Sequence, residues 1–114
     1  MNDCIFCKII KKEIKSEIVF EDKNILAIKD INPQAPTHVL ILPKEHIATL
    51  NEILPQNADI LKQMFFAAIQ VAKQSGVSAD GYRTVINCNR HGGQEIFHLH
   101  LHLMGGKQLS GKMG

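Results

Sequence analysis

Hydrophobic and polar residues alternate with two different periods along this chain, and the changes of period locate its elements. Leu61, Met64, Phe65, Ala68 and Ala72 recur every three or four residues, which draws one apolar stripe along a helix. Asn57 is the candidate N-cap, and Lys73 with Gly76 suits the C-terminal end, so the pattern predicts a main helix from Asn57 to Ser75. Residues 4 to 12 mix apolar and basic positions in a way that suits a short amphipathic N-terminal helix. Elsewhere the apolar runs are short and β-branched. "IVFED" (Ile18 to Asp22) and "NILAIKDI" (Asn24 to Ile31) read as two tightly joined strands, "HVLILP" (His38 to Pro43) as a third and "GYRTVINCN" (Gly81 to Asn89) as a fourth. Between them Pro33 and Pro36 make "NPQAPT" a turn or irregular link.

The last patterned segment, "FHLHLHLMGG" (Phe97 to Gly106), alternates strictly. As a strand it places His98, His100 and His102 on one face, successive rings roughly 6.5 to 7 Å apart, with Phe97, Leu99, Leu101 and Leu103 on the other face towards the helix. A helix would scatter the three imidazoles by about 200° at each step. Met104-Gly105-Gly106 ends the strand. The order helix, strands, helix, strands predicts an α+β fold: an antiparallel meander sheet with one main helix and a short N-terminal one, not alternating βαβ units.

A chain of 114 residues is most naturally one domain, 1–114, and 45% hydrophobic with 21% charged residues is ordinary for a soluble globular protein. A net charge of +2 is weak for a nucleic-acid binder, and the basic stretch "KIIKKEIK" reads as the wet side of a helix. No apolar run approaches the ~18 residues of a membrane span, so neither nucleic acid nor membrane is expected as a partner. "MNDCIFCKII" lacks the pattern of a signal peptide, and three cysteines make no disulfide framework, which together predict a cytoplasmic protein with reduced thiols.

Three histidines in register invite chemistry, because stacked imidazoles compete for partners and repel one another when charged. They can be a metal site, since two histidines at i, i+2 can grip one zinc ion. They can also hold a nucleophile, since an imidazole with a pKa near ~6.5 keeps a free lone pair at neutral pH. "RHGGQE" (Arg90 to Glu95) is either a plain turn or, beside the histidines, a phosphate cradle of backbone N–H groups. "CIFC" (Cys4 to Cys7) can be a redox pair, half a zinc site or chance, and no βαβ context supports the redox reading.

"GGQEIFHLHLHLMGG" (Gly92 to Gly106) resembles the signature of the histidine-triad superfamily. "IFCKIIKKEI", "DINPQAPTHVLILPKEHI" and "NCNRHGGQE" look like its HINT-type branch, so the resemblance covers nearly the whole chain. It implies a homodimer whose sheet continues across two subunits, and hydrolysis of purine nucleoside 5′-phosphoramidates resembling adenosine 5′-monophosphoramidate. By position His100 would be the nucleophile, passing through a nucleotidyl-histidine, with its other ring nitrogen held by a main-chain carbonyl of the same strand. His102 would contact the phosphate. His38 matches a fourth histidine close to the triad, although by period alone it is equally an inward-facing core residue. Asn87, Gly93 and Gln94 resemble the phosphate-side loop, with Glu95 where animal relatives carry serine. Asp30 resembles the ribose-binding acid. Ile5, Phe6, Ile9, Ile28 and Ile31 resemble the apolar slot for the base, and each would also suit a core.

Other histidine-triad relatives, including the uridylyltransferase branch, use such a cysteine pair with two histidines to hold structural zinc. The matching set here is Cys4, Cys7, His46 and His98, with no metal required for the chemical step. Rival readings are a nucleotide-binding or scaffold protein with little turnover, a hydrolase of dinucleoside polyphosphates, and a zinc hydrolase whose metal sits on the triad itself.

Overall fold

The computed structural model describes residues 4–112; both ends of the domain expected over 1–114 lie outside the described residues. Its elements follow as α1 (Ile5–Ile10), β1 (Ile18–Glu21), β2 (Ile25–Lys29), β3 (Thr37–Pro43), α2 (Asp59–Gln74), β4 (Tyr82–Val85) and β5 (Leu101–Gly105). All five strands form one antiparallel sheet in the order β1-β2-β3-β5-β4. The first three make the expected meander. The tight β1–β2 link is an Asx turn, in which the Asp22 carboxylate accepts from the N–H groups of Asn24 and Ile25 at 2.9 and 2.8 Å. β5, last in the chain, then enters between β3 and β4, so the histidine strand is internal to the sheet.

Period-2 alternation sorts the side chains of β2, β3 and β5 into two apolar layers. Ile25, Ala27, Val39, Ile41, Leu101 and Leu103 face α2 and bury with Met64, Ala67, Ala68, Val71 and Ala72. Leu26, Ile28, Leu40 and Leu42 face the other way and bury with Phe6 and Ile9 of α1. The sheet is therefore covered on both faces, which is why β2 reads as a continuous apolar run.

α2 stops where Gly76 predicts. Gly76 has φ +75, its N–H donates to the Lys73 carbonyl and the Val77 N–H to the Ala72 carbonyl, a Schellman ending. Its start is two residues later than expected. Pro55–Asn57 forms a 3₁₀ turn, the Asn57 side-chain Oδ1 accepts from the Leu54 N–H at 2.7 Å, and Ala58 caps the helix without a side-chain bond. Phe65 also departs from the predicted stripe: small alanines let α2 approach the sheet closely, and Phe65 lies on the flank, 42% exposed, beside Phe66 and Ile69.

Both later strands are shorter than predicted. β4 ends at Val85, and by Asn89 the backbone has φ +60, incompatible with a strand. β5 begins at Leu101, not Phe97. Continuing its register with β3 (Ile41 opposite Leu101) would set Leu99 against Pro43, which has no N–H to offer and whose carbonyl is taken by the His98 ring. The Leu99 N–H turns instead to the Ile47 carbonyl at 2.6 Å, and Phe97 is left 47% exposed.

Candidate active site and metal centre

Because Leu101 and Leu103 pack on α2, His100 and His102 face α1, and His98, just ahead of β5, lies on the same side. Phe6 sets its ring edge-on to both His98 and His100, with centroids 5.9 and 5.1 Å away. His100 is 8% exposed, and its Nδ1 lies 2.7 Å from the His98 carbonyl. Only an N–H makes that contact favourable, so Nδ1 carries the proton and Nε2 keeps the lone pair. Burial pushes the His100 pKa down against the opposing pull of that carbonyl and of Asp30. The ring is neutral near pH 7.

A second chain of bonds fixes the next two rings. His102 is opposite Leu40 in the ladder, which makes His38 on β3 its diagonal neighbour. The Gln34 N–H donates to His38 Nδ1 at 3.0 Å, so the proton of neutral His38 sits on Nε2. That nitrogen is 3.0 Å from His102 Nδ1 and 3.4 Å from the Asp30 carboxylate. His102 accepts at Nδ1 and therefore presents an N–H at Nε2. Burial, then repulsion from His100 and His38, lowers the His102 pKa to about 4 against the pull of Asp30. Burial lowers His38 as well. Asp30, His38 and His102 are close enough to share a cation. The Gln34 N–H argues against one, since a cation on Nε2 would strip His38 of both ring protons.

His98 is fully buried and belongs to a different cluster. Its Nε2–H donates to the Pro43 carbonyl at 2.8 Å, which leaves the Nδ1 lone pair facing Cys4 Sγ at 3.3 Å, Cys7 Sγ at 3.6 Å and His46 Nδ1 at 3.2 Å. Cys7 Sγ and His46 Nδ1 are 3.3 Å apart. A tetrahedron with zinc–sulfur bonds near ~2.3 Å and zinc–nitrogen bonds near ~2.05 Å has edges of roughly 3.3 to 3.8 Å, which these spacings match. Burial, and after it the neighbouring Cys4, pushes the Cys7 thiol up, so Cys7 gives up its proton here only with a cation beside it. The donor set fits a structural zinc, and the Pro43 bond is the outer-shell partner that fixes the His98 tautomer.

The remaining expected site residues divide. Asn87 donates to the Gly92 carbonyl at 2.7 Å and closes the loop before β5. Gly93 is left-handed at φ +79, but its N–H donates to Arg90 and those of Gly92 and Gln94 to Asn89, so these N–H groups are spent within the loop and form no open cradle. The Gln94 side chain is turned inward: it accepts from the Asn89 N–H and donates to the carbonyls of Ala48 and Ile96. Glu95 is exposed. Phe6, Ile9 and Ile28 are buried, Ile5 is 43% exposed, and Ile31, beside Asp30, is 89% exposed. Sequence reasoning missed Gln34 and Pro43, because both act through main-chain groups that every residue type carries or nearly so.

The family model described as "Scavenger mRNA decapping enzyme C-term binding" matches residues 3–114. The purine nucleoside phosphoramidase of Escherichia coli (strain K12) is 48% identical over 107 residues, 94% of this chain and 90% of that protein. A 14 kDa zinc-binding protein from Zea mays is 49% identical, over 93% of this chain and 84% of its own. Among solved structures, a HIT family hydrolase from Legionella pneumophila superposes with a TM-score of 0.95 at 51% identity, covering 97% of this chain and 99% of the other.

The depressed His102 pKa has a signed consequence. Above about pH 6.5 the ring is neutral both folded and unfolded, and its contribution to stability is complete. As pH falls towards about 4 the unfolded chain takes up a proton that the folded ring refuses, so stability drops, by at most ~1.4 kcal/mol per pH unit from this group. Urea denaturation between pH 7 and pH 4 is expected to show a shallower loss for His102→Gln than for wild type; equal slopes would refute the depressed value.

Proposed function

The chain belongs to the histidine-triad family, and we propose accordingly that it hydrolyses purine nucleoside 5′-phosphoramidates of the adenosine 5′-monophosphoramidate kind, with His100 as nucleophile. One observation carries this reading: the 2.7 Å bond from His100 Nδ1–H to the His98 carbonyl, which commits the opposite nitrogen to attack. His100 Nε2 bonds to the α-phosphorus, the phosphorus–nitrogen bond breaks, and its electron pair leaves with the amine, which takes up a proton. Positive charge developing on the ring is stabilised by the carbonyl at Nδ1. Water then cleaves the phosphorus–histidine bond, releasing the nucleoside monophosphate and restoring the imidazole. His102 donates its Nε2–H to a non-bridging oxygen, held in that tautomer by His38 and ultimately by the Gln34 N–H.

Asp30 takes the ribose hydroxyls. One of its oxygens accepts from the Asn32 N–H at 2.8 Å, and a carboxylate has lone pairs to spare. Phe6, Ile9 and Ile28 wall the base slot, with Ile5 and Ile31 at its open edge. Asn87, Gly93, Gln94 and Glu95 form a rigid rim on the phosphate side, the inward Gln94 bracing the loop.

Cys4, Cys7, His46 and His98 would hold zinc. The ion would supply a cross-link with no open coordination position, so no part of the reaction runs through it. The homodimer reading rests on β4 being an outer strand and on the exposed Phe65, Phe66 and Ile69 of α2, an apolar face that a second subunit would cover. Residues 1–114 then form one domain of each subunit. A cytoplasmic setting suits the three free cysteines. No helix of the described residues is long and apolar enough to cross a membrane.

Mixing the protein with an adenosine phosphoramidate and quenching in base is expected to leave a nucleotidyl adduct on the peptide containing His100. His100→Ala should lower turnover by roughly 10³-fold or more while AMP still binds. Negligible turnover in wild type with AMP bound would favour the binding-protein reading instead. Elemental analysis of protein purified without chelator should find one zinc per chain, lost in the Cys4→Ser, Cys7→Ser double variant; freely alkylated cysteines in a metal-free wild type would end the zinc reading. Sedimentation equilibrium should give a dimer that Phe65→Asp with Phe66→Asp converts to monomer, and a monomeric wild type would refute it.

A further inference from the structure

The contact that makes His100 a nucleophile depends on the position of one carbonyl, that of His98. An internal strand would ordinarily fix such a carbonyl by its ladder, but β5 begins only at Leu101, and residue 98 lies outside it. What holds residue 98 is its own side chain, gripped at both ring nitrogens: Nε2 by the Pro43 carbonyl, Nδ1 by the cysteine–histidine cluster. The next residue is held from the same direction, since the Leu99 N–H bonds to the carbonyl of Ile47, the neighbour of His46.

The same cluster controls a second contact of the nucleophile. Phe6, whose ring packs edge-on against His100, lies between Cys4 and Cys7. α1 has six residues, far below the length at which a helix is stable alone, so its placement depends on what it is tied to. Cys4 and Cys7 tie it to His98, more than ninety residues away in the chain.

We propose that Cys4, Cys7 and His46 are positioning residues for the chemical step: by clamping the His98 ring and α1, they aim His100 at the phosphorus. This rests on the reading of His100 as nucleophile. His102, His38 and Asp30 lie outside the clamp and keep the substrate's phosphate and ribose contacts without it. Releasing the clamp leaves the phosphate and ribose contacts in place but loosens both the attack geometry and α1, which walls the base slot, so kcat falls by more than KM rises. Lost outer-shell partners typically cost about 10- to 100-fold, and the same range is expected here.

His46 is the member to change, because it is exposed and its loss leaves the core intact. It presents Nδ1, the ring nitrogen nearer the backbone, so a sulfur placed on Cβ by His46→Cys reaches nearly the same point. Wild type, His46→Ala and His46→Cys are compared for zinc content, for kcat and KM on adenosine 5′-monophosphoramidate, for the thermal melt, and for the ring N–H signal of His100 in ¹⁵N-histidine-labelled protein. His46→Ala should lose zinc, drop kcat about 10- to 100-fold with a distinctly smaller rise in KM, and broaden the His100 N–H signal, with a cooperative melt. His46→Cys should restore all three. The proposal is overturned by a zinc-free His46→Ala with wild-type kcat and an intact ring signal, by a zinc-loaded His46→Cys that stays slow, or by a kcat loss matching the fraction unfolded. A wild type that binds AMP without turnover defeats the hydrolase reading alone, and the zinc and ring-signal measurements still decide the clamp.

Discussion

A neutral imidazole has two nitrogens and one proton, and the site is organised by deciding which nitrogen keeps it. Three of the four inner histidines have that choice made directly by a main-chain group. The Pro43 carbonyl holds the proton of His98 on Nε2, the His98 carbonyl holds that of His100 on Nδ1, and the Gln34 N–H excludes it from Nδ1 of His38. His102 inherits its tautomer from His38. Backbone groups cannot titrate or rotate away, so these assignments persist as long as the fold does. Burial works in the same direction, since it disfavours the doubly protonated ring that would blur each assignment.

The sheet makes this economical. By entering between β3 and β4, β5 gains a partner on each side, and its leucines can anchor in the α2 layer while the alternate positions stay free for function. The antiparallel register with β3 then brings His38 to His102 without any special loop. One departure from regularity gives the strand its second role. Where Pro43 ends the ladder, His98 turns into the cluster of Cys4, Cys7 and His46, so three residues of identical type and spacing divide between two separate groups of partners.

Period alone was enough to read the two faces of β5, the segregated order of elements and the C-terminal stop of α2, because these follow from local geometry: alternation by two, recurrence by three and four, a left-handed residue at Gly76. Asn57 misled because a preceding proline drew its side chain into a 3₁₀ turn, and Phe65 because a stripe drawn from spacing does not say how closely small alanines will seat the helix. The first half of the histidine segment read as strand because alternation reports where side chains point and is silent on whether a backbone partner exists. Gln94 is expected by resemblance in the phosphate-side loop, yet its amide faces inward, since a glutamine in a glycine-rich loop carries no periodic signal of its direction. The histidine-triad resemblance implies what period cannot, different roles for His98 and His100. The main-chain partners at Gln34 and Pro43 stayed invisible.

The inward Gln94 has one more consequence. Its amide stitches the loop ahead of β5 to the segment after β3 through Ala48, and closes on Asn89 and Ile96 within the loop, so the shape of that rim is set from beneath. Position 95, immediately next to it, is relieved of any architectural duty and faces water. A change of residue there, acid for hydroxyl or either for something larger, alters the charge and reach of the rim while the scaffold around it stays still.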